Sequence, residues 1–155
     1  MRRQLQIPAR FMAVRYNGAA HPLTRAAGLE EGANCQRFVY ALLDRFGYEL
    51  APMRSSELWT DRKFTRLAYR MRPLDILMFN RDMNAWGAHL ALYLGNHRAI
   101  HLSKSVGLPV IWSLSEFARH DRYKTLLGIK RPIIRIQYTR ASIARGSSSS
   151  KSATM

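Results

Sequence analysis

The sequence predicts an α+β fold in which a helix bearing the single cysteine packs on a small antiparallel sheet bearing two histidines. Three observations predict it: an amphipathic segment that follows Cys35, a buried strand at residues 76–79, and two alternating segments between His89 and Ser103. Turn residues separate the alternating segments, as is typical of a hairpin. The chain has 155 residues, of which 47% are hydrophobic, so residues 1–140 are expected to form one domain with its own core.

The cysteine helix is the most clearly marked element of the sequence. Its apolar residues recur with helical spacing, at Phe38, Val39, Leu42, Leu43 and Phe46. Asn34 is a good N-cap, and Gly47 is placed to end the helix. Cys35 therefore falls in the first turn, where free N–H groups and the helix dipole favour a thiolate. A lone cysteine is more often a small buried hydrophobic residue, so its partners must decide its role.

The remaining elements follow from local patterns. The segment from Ser55 to Tyr69 carries apolar residues on one side and arginines and lysines on the other, which predicts a second helix with a solvated basic face. Alternating or continuous apolar residues predict strands at residues 110–112 and 133–138, and a short helix is expected to begin at Leu114.

The hairpin pattern places both histidines on one face. The three alternating leucines of the first strand and Ile100 of the second must share the buried side. One register that meets this requirement puts His89 directly opposite His101, with Tyr93 opposite His97. The next permitted register makes the two histidines diagonal neighbours, still within reach. A two-residue Gly95–Asn96 loop would separate them, and burial disfavours that register.

A cysteine and two histidines form the minimum set for cysteine acyl transfer. Cys35 would attack a carbonyl carbon, and His89 would hold the thiolate as an ion pair and then protonate the leaving amine. His101 would hydrogen-bond the far nitrogen of the His89 ring and fix its orientation. The Cys35 N–H would contribute to an oxyanion hole. These residues could also bind zinc, but no fourth ligand stands out, so neither a metal nor another cofactor is expected.

These residues resemble the NlpC/P60 cysteine peptidases, which have a papain-like fold. The resemblance is carried by the segments GANCQRFV, RPLDILMF and AHLALYLGN, followed by Ile100–His101, and it spans residues 16–135. Asn34 and Gln36 stand where the family has aspartate and serine, and Tyr16 is the candidate for its upstream tyrosine near the oxyanion hole. Tyr16 and Asn34 are therefore candidates for oxyanion or substrate positioning. The resemblance implies cleavage of amide bonds in peptidoglycan stem peptides, commonly between D-glutamate and a diamino acid.

The charge of the chain suggests a polyanionic partner. The net charge is +15, from 25 Lys and Arg residues against 10 Asp and Glu, which favours an anionic wall polymer, nucleic acid or an acidic membrane surface. Nucleic acid is possible but not favoured, because Trp59, Trp86 and Trp112 lie in apolar patterned segments. Two alternatives to the wall peptidase stay open: an acyltransferase or hydrolase acting on a non-wall amide, thioester or ester, and a non-catalytic basic binding module.

The N-terminal segment and the lengths of the apolar runs bear on export and membrane insertion. The basic N-terminus is interrupted by Pro8 and Arg10 before an apolar segment of useful length, so no signal peptide is recognised. No apolar run is long enough for a transmembrane span. Location is therefore left open between the cytoplasm and export to the cell wall without a signal peptide. Residues 141–155 are serine-rich and basic, which predicts a flexible tail.

Overall fold

The computed structural model describes residues 4–24 and 28–137, and it confirms the α+β class. One antiparallel sheet of six strands is accompanied by a few short helices. In chain order the elements are a 3₁₀ helix (Ala9–Ala13), α1 (Cys35–Arg45), α2 (Ser55–Thr60), β1 (Thr65–Ala68), β2 (Ile76–Asn80), β3 (His89–Gly95), β4 (Arg98–Leu102), β5 (Pro109–Ser113), α3 (Leu114–Ala118), a 3₁₀ turn (Asp121–Tyr123) and β6 (Thr125–Pro132). The strand order is β1-β6-β2-β3-β4-β5. The predicted tail at 141–155 lies outside the described residues.

Helix α1 begins and ends where the sequence predicts. The Oδ1 atom of Asn34 accepts a hydrogen bond from the Arg37 N–H at 2.9 Å, which satisfies one of the free amides of the first turn. Gly47 has a φ of 91°, and its N–H donates to the Asp44 carbonyl. This left-handed conformation favours glycine and ends the helix. The helix therefore starts at Cys35, as its capping residues require.

The apolar face of α1 packs on the central hairpin. Phe38, Val39, Leu42 and Leu43 are completely buried, as are the inward residues of β3 and β4, which are Leu90, Leu92, Leu94, Ile100 and Leu102. Burial of each such side chain contributes about 1.5–3 kcal/mol. This packing fixes the N-terminus of α1, and with it Cys35, relative to the hairpin.

The predicted helix from Ser55 to Tyr69 is wrong beyond Thr60. The Asp61 carboxylate turns the chain by accepting hydrogen bonds from the N–H groups of Phe64 at 3.0 Å and Thr65 at 2.8 Å. The chain then enters β1, which pairs with β6. The basic and apolar residues of this segment fit either a helix or a strand, and pairing with β6 selects the strand.

The C-terminal strand also lies elsewhere than predicted. It runs from Thr125 to Pro132 and pairs with both β1 and β2, whereas the sequence predicts it at residues 133–138. Within the described part of 133–138, Arg135 makes an isolated bridge to Tyr48. The predicted strands at 76–79 and 110–112 and the helix beginning at Leu114 are confirmed.

The β3–β4 hairpin adopts the diagonal histidine register. Leu92 pairs with Ile100 and Tyr93 with Ala99, whereas Gly95 pairs with Arg98 after a shift in register. Of the two registers that the sequence permits, the structure therefore has the one in which His89 and His101 are diagonal neighbours. The turn has two residues, at positions 96–97, with φ values of 52° and 58°. If the pairing continued from this turn without a shift, the leucines of β3 and Ile100 of β4 would lie on opposite faces of the sheet. The bulge before Gly95 shifts the register by one residue, so that these side chains share the buried face.

No helix among residues 4–24 and 28–137 combines the length and apolar character needed to cross a membrane.

Candidate active site

Cys35 and His89 line one cavity of about 310 Å³. The cavity lies where the N-terminus of α1 meets the beginning of β3, so packing of α1 on the hairpin brings the two residues together. The other lining residues are Tyr16, Asn80, Arg81, Gly87, Lys104, Arg122 and Tyr123. Residues far apart in the sequence thus form one polar site that includes a thiol and an imidazole.

His101 lies behind His89 and is hydrogen-bonded to it. The Nε2 atom of His89 is 2.8 Å from Nδ1 of His101, and the two rings meet edge to face at 87°. Since Nε2 of His89 is engaged in this way, Nδ1 is the nitrogen left for the thiol. This contact is the one that the predicted role of His101 requires, because that role is to hydrogen-bond the His89 nitrogen that lies away from the thiol.

Aromatic rings hold both imidazoles in place. The centroid of His101 is 4.2 Å from that of Trp112 and 4.6 Å from that of Phe117. His89 stacks on Tyr123 at 4.3 Å, with 29° between the ring planes. His101 is completely buried, and its Nε2 has no hydrogen-bond partner among the described residues. Such an unpaired buried atom costs free energy of folding, and a catalytic role is one of the reasons for which proteins retain it.

Burial keeps both histidines neutral. It lowers the pKa of His101 to about 3, with a further contribution from His120. Burial also lowers the pKa of His89 well below its usual value, and the nearby His101 and Arg122 add to the effect. A neutral imidazole can accept a proton, so His89 in this state has the form that a general base needs.

Burial also opposes the thiolate that the sequence predicts at Cys35. It raises the pKa of the Cys35 thiol to about 11, although the N–H groups of Leu90, Gln36 and Cys35 itself hydrogen-bond the sulfur and act in the opposite direction. Burial therefore acts against the thiolate–imidazolium pair that the sequence predicts. Desolvation outweighs the helix terminus, and the resting pair is a thiol and a neutral imidazole.

Tyr16 reaches the cavity because its segment packs against the residues before α1. The Ala33 N–H donates to the Arg15 carbonyl at 3.1 Å, and the Asn17 N–H donates to the Ala33 carbonyl at 2.9 Å. A Cβ atom on Gly32 would lie 2.5 Å from the Arg15 carbonyl oxygen, so glycine is needed for this close approach. Burial, followed by the nearby Cys35, raises the pKa of Tyr16. Its hydroxyl therefore stays protonated and can donate a hydrogen bond.

Asn34 serves the helix, since the oxygen of its side chain accepts the Arg37 N–H. Asn34 is therefore the N-cap of α1. The structure brings the other four candidate residues together: Cys35, His89, His101 and Tyr16.

Six residues that line the cavity escape the sequence analysis: Asn80, Arg81, Gly87, Lys104, Arg122 and Tyr123. Lys104 follows β4 closely after His101, which is a weak signal in the sequence. Arg122 and Tyr123 lie in a 3₁₀ turn before β6, and no local pattern links them to the cysteine. Their placement depends on long-range packing.

The described residues include no group of three or more His, Cys, Asp or Glu side chains arranged to hold a metal ion. The chain matches no model of a known protein family and no curated protein sequence.

Proposed function

We propose that this protein is a cysteine amidase or endopeptidase with a papain-like NlpC/P60 fold, and that it cleaves amide bonds in peptidoglycan stem peptides. The observation that carries the proposal is the cavity shared by Cys35 and His89, with His89 Nε2 at 2.8 Å from His101 Nδ1. A nucleophile, a base and a group that orients the base are the parts that cysteine acyl transfer requires.

The fold proposal rests on the arrangement of these parts. The cysteine begins a helix that packs on an antiparallel sheet, and the histidines lie on neighbouring strands of that sheet. The order of cysteine before histidine is that of the peptidases the sequence resembles. The choice of wall peptides as substrate rests on this resemblance and on the net charge of +15, which favours anionic polymers.

In the proposed mechanism the proton moves during the attack, because the resting groups are neutral. As Cys35 Sγ bonds to the carbonyl carbon, its proton passes to Nδ1 of His89. The Nε2–H of His89 donates to Nδ1 of His101, which stabilises the imidazolium that forms. The N–H groups of Cys35 and Gln36, which lie against the sulfur, can donate to the developing oxyanion.

The intermediate then collapses to a thioester. The bond from carbon to nitrogen breaks as His89 gives its proton to the leaving amine. A water molecule next attacks the thioester, with His89 again as the base, and the acid and the free thiol are released. An acceptor other than water would make the same chemistry an acyl transfer.

Digestion of purified peptidoglycan tests this proposal. Reduced wild type is expected to release peptides that mass spectrometry identifies, and Cys35→Ala is expected to release none. Cys35→Ser is the matched control, because it keeps the size and polarity of the residue but supplies a much weaker nucleophile. Circular dichroism and unfolding curves verify that each variant is folded. Release by Cys35→Ala, or no release by folded wild type, contradicts the wall-peptidase proposal, and other amides and thioesters are then the next substrates.

A further inference from the structure

Among the described residues, the candidate active-site cavity is lined by three cationic side chains and by no carboxylate. Arg81 follows β2, Lys104 follows β4, and Arg122 lies in the 3₁₀ turn before β6. All three are exposed. They come from three separate loops that meet around the cavity, so their charges add at the site that also contains Cys35.

Two of these cations are left without a counter-ion. The Asp121 carboxylate is shared by Arg81, at 3.4 Å, and Lys124, at 3.0 Å. Within residues 4–24 and 28–137, neither Lys104 nor Arg122 forms an ion pair. The positive charge of Arg122 also reaches the other cavity residues, since it contributes to the lowered pKa of His89. The cavity that Cys35 lines therefore contains two positive charges that have no counter-ion among the described residues.

We propose that Arg122 and Lys104 form an anion-binding subsite, which holds a carboxylate of the substrate next to the scissile acyl group. An arginine guanidinium can bind a carboxylate with two parallel hydrogen bonds, and a lysine adds a point charge. The protonated hydroxyls of Tyr16 and Tyr123 line the same cavity and can donate further hydrogen bonds. The role of this subsite in substrate selection rests on the proposed function.

A bound carboxylate also assists the proposed proton transfer. It offsets the positive charge of Arg122, which disfavours a proton on His89. His89 then accepts the Cys35 proton more readily when an anionic substrate is present than when the cavity is empty. The subsite thus joins recognition to activation of the nucleophile.

Alkylation of Cys35 tests the subsite without any need for peptidase activity. Iodoacetate and iodoacetamide have nearly the same size, and in both reactions sulfur bonds to the CH₂ carbon while iodide leaves. Only iodoacetate is anionic. Cys35 is the single cysteine of the chain, so mass spectrometry reports its modification directly. The ratio of the two rates cancels the thiolate fraction, which both reagents share.

Arg122→Gln is expected to lower the ratio of the iodoacetate rate to the iodoacetamide rate roughly threefold, since it removes one of the positive charges that line the cavity of Cys35. The variant with both Arg122→Gln and Lys104→Gln should lower it further. Arg45→Gln is the matched control: it makes the same change in net charge at the exposed far end of α1, about 15 Å from Cys35 along the helix axis. An unchanged ratio in the double variant, or an equal fall with Arg45→Gln, overturns the subsite.

If the Cys35 thiol reacts too slowly for its alkylation rates to be measured, titration with the dicarboxylate glutarate tests the subsite instead. Amide signals of the cavity residues in a ¹H–¹⁵N spectrum are expected to shift saturably in wild type and at several-fold higher glutarate in the double variant. Equal shifts in both proteins, or no saturable shift in wild type, overturn the subsite.

Once peptide release is established, matched peptides with a carboxylate or a carboxamide beside the scissile bond complete the test. Arg122→Gln should raise KM for the carboxylate peptide alone, and an equal rise for both peptides contradicts the proposal.

Discussion

The two faces of the β3–β4 hairpin differ in chemistry although the same two strands supply both. Towards α1 the strands present aliphatic side chains such as Leu92 and Ile100, which are completely buried. Towards α3 and the 3₁₀ turn they present His89 and His101, which contact aromatic rings. Alternation along a strand makes this separation possible. One face stabilises the hairpin, and the other holds His89 Nε2 at 2.8 Å from His101 Nδ1.

The largest expected effect comes from a change on the histidine face. His89→Ala removes the proposed base and should lower the rate of peptide release by about 10²- to 10⁴-fold. Stability should change much less, because His89 lies at the beginning of its strand and is only partly buried. Peptide release is measured by mass spectrometry and stability by urea unfolding.

Leu92→Ala is the matched control from the aliphatic face of the same strand. It should lower the free energy of unfolding by about 2–5 kcal/mol, since Leu92 is completely buried. Under conditions where the variant is folded, its rate of peptide release should stay near that of wild type. A loss of stability in His89→Ala as large as that in Leu92→Ala would show that the faces do not divide the two roles.

The second effect is the dependence of stability on pH that comes from His101. The pKa of this residue is about 3 in the folded protein and about 6.5 in an unfolded chain. Between these values the unfolded chain binds the additional proton, so stability falls as the pH falls from about 6.5 towards 3. The expected contribution is about 1.4 kcal/mol per pH unit in the middle of this range.

His101→Phe removes this contribution, because it retains an aromatic ring but cannot take up a proton, and it also removes the part of the lowered pKa of His89 that His101 causes. Urea unfolding between pH 4 and pH 7 should give a shallower slope for His101→Phe than for wild type. Asp61, whose pKa is lowered by hydrogen bonds, also loses stabilisation in acid, but equally in both proteins. His97→Asn changes an exposed histidine in the hairpin turn and is the matched control variant. Equal slopes in wild type and His101→Phe would contradict a buried neutral His101.

The smallest effect is expected at the cap of α1. Asn34→Ala removes the acceptor for the Arg37 N–H and should lower the free energy of unfolding by about 1 kcal/mol. Asn34→Asp retains the acceptor and should retain stability. If Asn34→Ala instead changes KM for peptide with little change in stability, Asn34 has the substrate-positioning role that the sequence suggests.

Local patterns in the sequence were sufficient to predict α1 and the β3–β4 hairpin, the two elements that carry Cys35, His89 and His101. The cap at Asn34, the spacing of apolar residues after Cys35 and the glycine at position 47 determine α1. The alternation of leucines restricts the hairpin to registers that put His89 and His101 on one face. These predictions succeeded because each depends on residues a few positions apart, with a buried side that is unambiguous.

Patterns of the same kind failed where two structures were locally possible. The segment from Ser55 to Tyr69 has an apolar side in a helix and also in a strand, and pairing of Thr65–Ala68 with β6 decides between them. The exact hairpin register likewise depends on a bulge that reconciles the turn with burial of the leucines.

The sequence by itself determined the α+β class, the cysteine helix and the shared face of the two histidines, because helical and strand periodicities are local properties. Only the tertiary structure decided the protonation of the site. Burial of the Cys35 thiol outweighs the favourable helix terminus, and an aromatic enclosure keeps His101 neutral. The tertiary structure also brought Lys104 and Arg122 to the cavity. Desolvation and the meeting of distant loops depend on the packed chain as a whole, and no short segment contains that information.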